Sequence, residues 1–439
     1  MKTRSLKKNK VNVITLGCSK NIYDSEVLMG QLRANDFTVS HEDDNSDAPV
    51  VIINTCGFID NAKQESINTI LQWAEAKEKG LVEKVYVTGC LSERYMPELK
   101  KEIPNIDEYF GTRDLPRLLK TMNADYKQEL IGERLLTTPL HYAYFKISEG
   151  CDRPCSFCAI PIMRGKHVSI PMERLIEQAK GLARQGVKEL ILIAQDLTYY
   201  GLDIYKKRVL ADMLRKLCEV DGITWIRLHY AFPQGFPMDV LDVMAGEQKI
   251  CKYLDMPLQH AHPKTLYRMK RPSNIDWVHK TLGKMRATIA DLSIRTTFLV
   301  GYPGETDEEY KALYDFVKEI RFDRVGAFQF SFEPGTTSAP LGDPVPAEVK
   351  QERYERLMEL QQNISLQVNQ SYVGKTLDVL VEGFDNGISI GRSYRDAPEI
   401  DGMVFVEGQA KVGDIVPVRI GGAMAYDLTG VLAQPLIKL

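Results

Sequence analysis

Twice along the chain, short apolar runs alternate with amphipathic stretches of helical period, a pattern that buries itself best as parallel strands with helices packed across them. The first series starts at Val11, where "VNVITLGC", "PVVIINTCGF" and "KVYVTGC" are separated by "YDSEVLMGQLRAN" and "NAKQESINTILQWAEAK". The second runs through "YAYFKIS", "ELILIAQ", "TWIRLHY", "KYLDMPLQ", "IRTTFLVG" and "VGAFQFS", with helical stretches such as "PMERLIEQAKGLARQG" and "DEEYKALYDFVKEI" between them. Six strand–helix units predict a partial (β/α)6 barrel of the TIM type, with its chemistry at the carboxyl ends of the strands. Beyond the long helical stretch "PAEVKQERYERLMELQQNISLQVNQSYVG", short strands broken by Gly and Asp predict a small antiparallel β-barrel. The expected class is therefore α/β, with domains at 11–122, 138–370 and 372–439 and a linker or hinge in the weakly patterned residues 112–141. A chain of 439 residues has room for these three cores.

Eight cysteines in such a chain, with no leading apolar export segment and no apolar run of membrane length, do not form a secreted disulfide scaffold. A soluble, cytoplasmic protein with no membrane contact is expected. The basic start, "MKTRSLKKNK", reads as a solvated tail, and the net charge of −3 names no partner.

The cysteines are placed in a telling way. Each strand-like run of the first series ends in one: Cys18, Cys56 and Cys90. Parallel strands share direction, so all three fall on the edge where open α/β sheets bind ligands. Burial is the ordinary fate of a free cysteine. Three at one topological position, in Gly-Cys or Cys-Gly steps that let backbones approach, point instead to a shared metal or cluster site.

After the first strand of the second series comes "SEGCDRPCSFCAIPIMRG", which sets Cys151, Cys155 and Cys158 at C-x3-C-x2-C with no fourth cysteine nearby. Structural zinc takes four protein ligands, and His167 is the nearest candidate for the fourth. A disulfide would strand one thiol in a reducing compartment. A cubane iron–sulfur cluster suits thiolates, and three of them leave one iron open. Other strand ends offer Gln195 and Asp196, Gly301 and Gly304, and His260, which could meet substrate but by default sits at the surface; Thr306 and Glu309 form a candidate capping box, and Cys218 and Cys251 fit core positions.

On C-x3-C-x2-C after the first barrel strand, with Phe157 before the last cysteine, the chain resembles the radical S-adenosylmethionine (SAM) enzymes. The resemblance implies a 4Fe-4S cluster whose open iron binds SAM, electron transfer that cleaves SAM to a 5'-deoxyadenosyl radical, and SAM contacts from Phe157, Gln195 and Gly301. With the first triad and the terminal barrel added, nearly the whole chain is similar to the methylthiotransferases, whose last module is the TRAM domain. That implies a second, auxiliary 4Fe-4S cluster on Cys18, Cys56 and Cys90, and replacement of an unactivated C–H bond by C–S–CH3. An electron donor such as flavodoxin or ferredoxin goes with it.

The family divides by substrate, and "LGCSKNIYDSE", "NTCGFIDNAKQES", "AQDLTYYGLD", "PLQHAH" and "RTTFLVGYPGET" look like the branch that modifies an aspartate β-carbon of the twelfth small-subunit ribosomal protein. A tRNA adenosine methylthiotransferase is the alternative. From Tyr372 to Leu439 there are six basic and nine acidic residues, a net charge of −3. A barrel gripping tRNA would normally be basic; an acidic one complements a basic ribosomal protein, with RNA contact secondary. No catalytic side chain is assigned.

Overall fold

The run Val50–Thr55, "VVIINT", is β-branched almost throughout and buried along nearly its whole length, as befits the middle of a parallel sheet covered on both faces. In the computed structural model, which describes residues 9–127, 130 and 134–433, it is the central strand of a five-stranded sheet. The amino-terminal domain comprises β1 (Lys10–Thr15), α1 (Ser19–Arg33), β2 (Thr38–His41), β3 (Val50–Thr55), α2 (Asp60–Glu78), β4 (Lys84–Gly89), α3 (Cys90–Glu102), β5 (Glu108–Tyr109) and α4 (Leu115–Thr121). Its strand order is β2-β1-β3-β4-β5, parallel throughout.

Residues 112–141 contain α4, and two described residues of the expected hinge are tied to the first domain: Thr137 donates its N–H to Glu26 and Lys127 donates its N–H to Gln31, both on α1. Residues 1–8 of the basic start lie outside the described residues.

The second domain comprises β6 (Tyr142–Lys146), β7 (Ser148–Glu149), α5 (Ile160–Arg164), β8 (Val168–Ser169), α6 (Met172–Arg184), β9 (Glu189–Ile193), α7 (Leu210–Cys218), β10 (Trp225–Leu228) and α8 (Asp239–Gly246). It continues through β11 (Ile250–Asp255), α9 (Pro263–Arg268), α10 (Ile275–Thr288), β12 (Ser293–Val300), α11 (Asp307–Ile320), β13 (Arg324–Gln329) and α12 (Ala347–Gln370). Its six large strands form one parallel sheet, β13-β12-β11-β10-β9-β6. Alternate residues such as Leu190 and Leu192 face the helices in the main core, while Ile191 and Ile193 face inward. Helix α11 starts at the expected capping box, with Thr306 and Glu309 satisfying each other's backbone N–H groups.

Helix α1 of the first domain lays Tyr23, Ile22 and Val27 against Tyr142, Tyr144, Ile191 and Ile193, so one domain closes over the inner face of the other. The last five strands, β14 (Thr376–Asp385), β15 (Ile388–Ser393), β16 (Val404–Glu407), β17 (Ile415–Ala423) and β18 (Leu428–Leu432), form a closed barrel. Its β16–β18 pairing is parallel and its other four are antiparallel. Alternating directions cannot close a ring of odd strand number, so a wholly antiparallel barrel is impossible here.

This barrel packs on the starts of the second domain's strands through a buried charge network. Glu189 accepts from Arg227 at 2.6 Å and from Arg392 at 2.8 Å, Arg392 also pairs with Glu382 at 2.7 Å, and Arg324 pairs with Asp396 at 2.6 Å. Three of the nine acidic residues counted from sequence, Glu382, Asp396 and Asp401, are therefore largely spent internally, as are Arg392 and Arg395. Asp378, Asp385, Glu399, Glu407 and Asp414 face solvent beside Lys375, Lys411 and Arg419, and the described surface stays acidic.

Candidate functional site

The first cysteine triad stands where parallel topology requires. Cys18, Cys56 and Cys90 follow β1, β3 and β4, which are neighbours in the sheet. Cys18 is the residue preceding α1, and Cys90 is the first residue of α3. The approach is close enough that a Cβ on Gly17 would fall 2.8 Å from the Cys56 sulfur.

The second triad lies on the loop between β7 and α5. Its sulfurs receive donors from the protein: the Arg153 N–H points at the Cys151 sulfur at 3.4 Å, and the Arg271 guanidinium at the Cys155 sulfur at 3.5 Å. Such contacts stabilise thiolate and tune the potential of a cluster held by it. Arg153 is itself clamped, with an ion pair to Asp196 at 2.8 Å and the Tyr199 and Phe232 rings each 3.9 Å away.

Burial pushes the thiols of Cys90 and Cys158 up to about 12 and that of Cys151 to about 11, and raises Cys56 as well. Clustered, buried thiols of this kind stay protonated unless a cation displaces the protons, which is the behaviour of metal-cluster ligands. Among the described residues, no group of three or more His, Cys, Asp or Glu side chains is set to hold a metal ion. A cubane asks for a different arrangement, because each thiolate takes its own iron at a separate corner. The donor set, all sulfur with directed N–H groups, fits that demand.

Between the triads lies a set of charged residues that the sequence reading missed. Arg164, on α5, donates to Asn21 Oδ1 at 2.6 Å and to Asp24, both on α1, and to Glu149 at 3.3 Å. Lys146 bonds Asp24 and reaches Glu149 at 2.7 Å. Burial alone would raise the Glu149 carboxyl, but Lys146 and Arg164 outweigh it and hold it at about 2. Cys90 packs with Ala159 and Met163 beside this network. The available signals were Lys146 closing an otherwise apolar strand and Glu149 and Arg164 bracketing the cysteine stretch.

The remaining expected residues fall as follows. Gln195 donates to Glu149 at 2.8 Å, and its buried Oε1 has no hydrogen-bond partner among the described residues. Phe157 packs with Met269, Leu299, Tyr302 and Phe330. Gly301, at φ +72°, leaves no room for a Cβ, which would meet Lys350 Cγ at 2.2 Å; its need for glycine is met by packing. His167 contacts Ser169 at 3.0 Å rather than a thiol. His260 is buried against Glu305 at 3.4 Å rather than at the surface, and Cys251 is buried.

Comparison with known proteins agrees across the chain. Residues 10–111 match the model described as uncharacterized protein family UPF0004, residues 145–317 the radical SAM superfamily and residues 373–432 the TRAM domain. The ribosomal protein uS12 methylthiotransferase RimO of Flavobacterium psychrophilum is 57% identical over 98% of this chain and 99% of its own length. RimO of Phocaeicola vulgatus is 46% identical over 96% and 99%. Among solved structures, the radical SAM methyltransferase TsrM from Kitasatospora setae shares the fold at a TM-score of 0.57 and 13% identity, over 85% of this chain and 81% of that one. With three domain models in the expected order and relatives this similar over nearly their whole length, the chain belongs to the RimO family of radical SAM methylthiotransferases.

Proposed function

We propose that the chain inserts a methylthio group at the β-carbon of an aspartate in ribosomal protein uS12. Two 4Fe-4S clusters serve the reaction, one on Cys151, Cys155 and Cys158 and an auxiliary one on Cys18, Cys56 and Cys90. The supporting observation is that two cysteine triads on separate domains are joined by one buried polar network through Arg164, Asn21 and Asp24. The relatives' name supplies the substrate.

When bound, the barrel cluster and SAM supply a radical able to take hydrogen from a carbon with no acidic proton, which no side-chain base can do. The chain's own part is placement. Gln195 offers its unpartnered Oε1 to a SAM donor, and Phe157 supplies an apolar wall. Arg153 and Arg271 steady the thiolates, and Lys146 keeps Glu149 ionised beside them.

The terminal barrel sits at the strand starts, opposite the triads. Its acidic surface holds the basic ribosomal protein there while a loop of that protein reaches the site. No helix among the described residues is long and apolar enough to cross a membrane, and the proposed place of action is the cytoplasm.

The test is mass spectrometry of uS12 from a strain lacking the gene, with and without its restoration. The methylthio peptide should appear only with the gene. A change confined to tRNA nucleosides would transfer the proposal to tRNA adenosine.

A further inference from the structure

From Pro263 to Arg286 the sequence carries seven Lys and Arg residues against one acidic residue, Asp276, in a chain whose net charge is −3. Some of these charges are spoken for. Arg268 pairs with Glu309, and Arg286 donates to the carbonyls of Ile320 and Arg321. Lys270, Lys280 and Lys284 are exposed, and none of their ammonium groups makes an ion pair or hydrogen bond among the described residues. All three line a groove of about 900 Å³ with Trp277, Phe236 and Arg271.

Arg271 connects that groove to the site. It is 8% exposed, lies over the Phe232 ring at 4.2 Å and points Nη1 at the Cys155 sulfur at 3.5 Å. An open, positively charged groove with aromatic walls therefore has a cysteine of the barrel triad beside its lining. The basic ribosomal protein is the wrong sign for it.

We propose that this groove docks an acidic one-electron carrier protein of the flavodoxin or ferredoxin class; the proposal rests on the radical SAM reading. One electron leaves the reduced carrier, which is oxidised, and enters the barrel cluster, which is reduced; no bond forms or breaks in that step. Unpaired lysines around an apolar centre favour a fast, weak encounter steered by charge, as electron-transfer partners require. RNA phosphates carry the same negative charge, so an RNA is the competing occupant that the experiment must separate from the carrier.

The experiment uses the reconstituted full-length enzyme and its K270E/K280E/K284E variant. Calorimetry measures the Kd for an oxidised bacterial flavodoxin at low and high salt, and 5'-deoxyadenosine formation is followed with flavodoxin, its reductase and NADPH or with dithionite alone. The expected result is a Kd at least tenfold weaker, a flavodoxin-driven rate at least tenfold lower, an unchanged dithionite-driven rate and a flattened salt dependence. Unchanged flavodoxin binding and rate would overturn the proposal, as would equal losses with both reductants. So would intact flavodoxin kinetics with lost binding to a ribosomal RNA fragment, which would assign the groove to RNA. Failure of the unaltered enzyme to cleave SAM with dithionite would sink the radical SAM reading instead, and the Kd would still test the groove.

Discussion

The guanidinium of Arg164, six residues past the last cysteine of the barrel triad, donates to Oδ1 of Asn21, three residues past the first cysteine of the other triad, at 2.6 Å. One hydrogen bond thus joins the helices that follow the first cysteine of one triad and the last of the other, and the same arginine holds Asp24. Arg164→Ala leaves the half-buried carboxylates of Asp24 and Glu149 with only Lys146 between them. The expected loss is ~1–3 kcal/mol of stability, read by chemical denaturation. In the reconstituted enzyme, 5'-deoxyadenosine should still form while methylthiolated product falls at least tenfold. Parallel loss of both would mean that Arg164 serves the barrel site alone.

Separate clusters should be lost separately. Alanine at Cys151, Cys155 and Cys158 is expected to remove about four irons and four sulfides per chain and all SAM cleavage. Alanine at Cys18, Cys56 and Cys90 should remove the same amount and spare SAM cleavage, while methylthiolation stops. Iron and sulfide analysis showing a single cluster in the unaltered protein would remove the auxiliary cluster.

The alternating patterns that predicted two parallel sheets were legible because a buried strand and an amphipathic helix each write their period locally. Cys18, Cys56 and Cys90 were legible as a group for the same reason, since topology alone puts them on one edge. Arg164, Asn21 and Asp24 were not, because their partnership depends on how one domain sits on the other. His260 failed in a different way: its burial follows from Glu305, 45 positions further along, whose carboxylate is invisible to local pattern. The parallel closure of the terminal barrel could have been reached by counting its strands.

The join between terminal barrel and second domain should be sensitive to acid. Burial would raise the Glu382 carboxyl, but His141 and Arg392 outweigh it and hold it at about 2, against an ordinary value of 4.5. A carboxyl depressed by folding contributes stability that is fully present above the ordinary value and is lost as pH falls toward the folded one. The contribution is on the order of 2–3 kcal/mol and should fade between about pH 5 and pH 2. Glu382→Gln is expected to be less stable at pH 7 and to show a flatter decline in denaturation midpoint below pH 5. Identical slopes for the two proteins would place the acid sensitivity elsewhere.

Gly17 offers a test of how tightly the first triad is built. Its φ of +94° disfavours any side chain, and a Cβ there would lie 2.6 Å from the Cys56 Cβ and 2.8 Å from its sulfur. Gly80, at φ +71°, shares the backbone conformation but has nothing within 4 Å of the same position. Both alanine variants bear the conformational strain of ~1 kcal/mol, and only Gly17→Ala forces Cys56 to move. Gly17→Ala should therefore lose auxiliary-cluster iron and methylthiolation while Gly80→Ala keeps both, each measured beside its denaturation midpoint. If the two variants retain iron equally, contact with Cys56 does not set the geometry of the first triad, and the adjacent Cys18 must find its place through the helix it precedes.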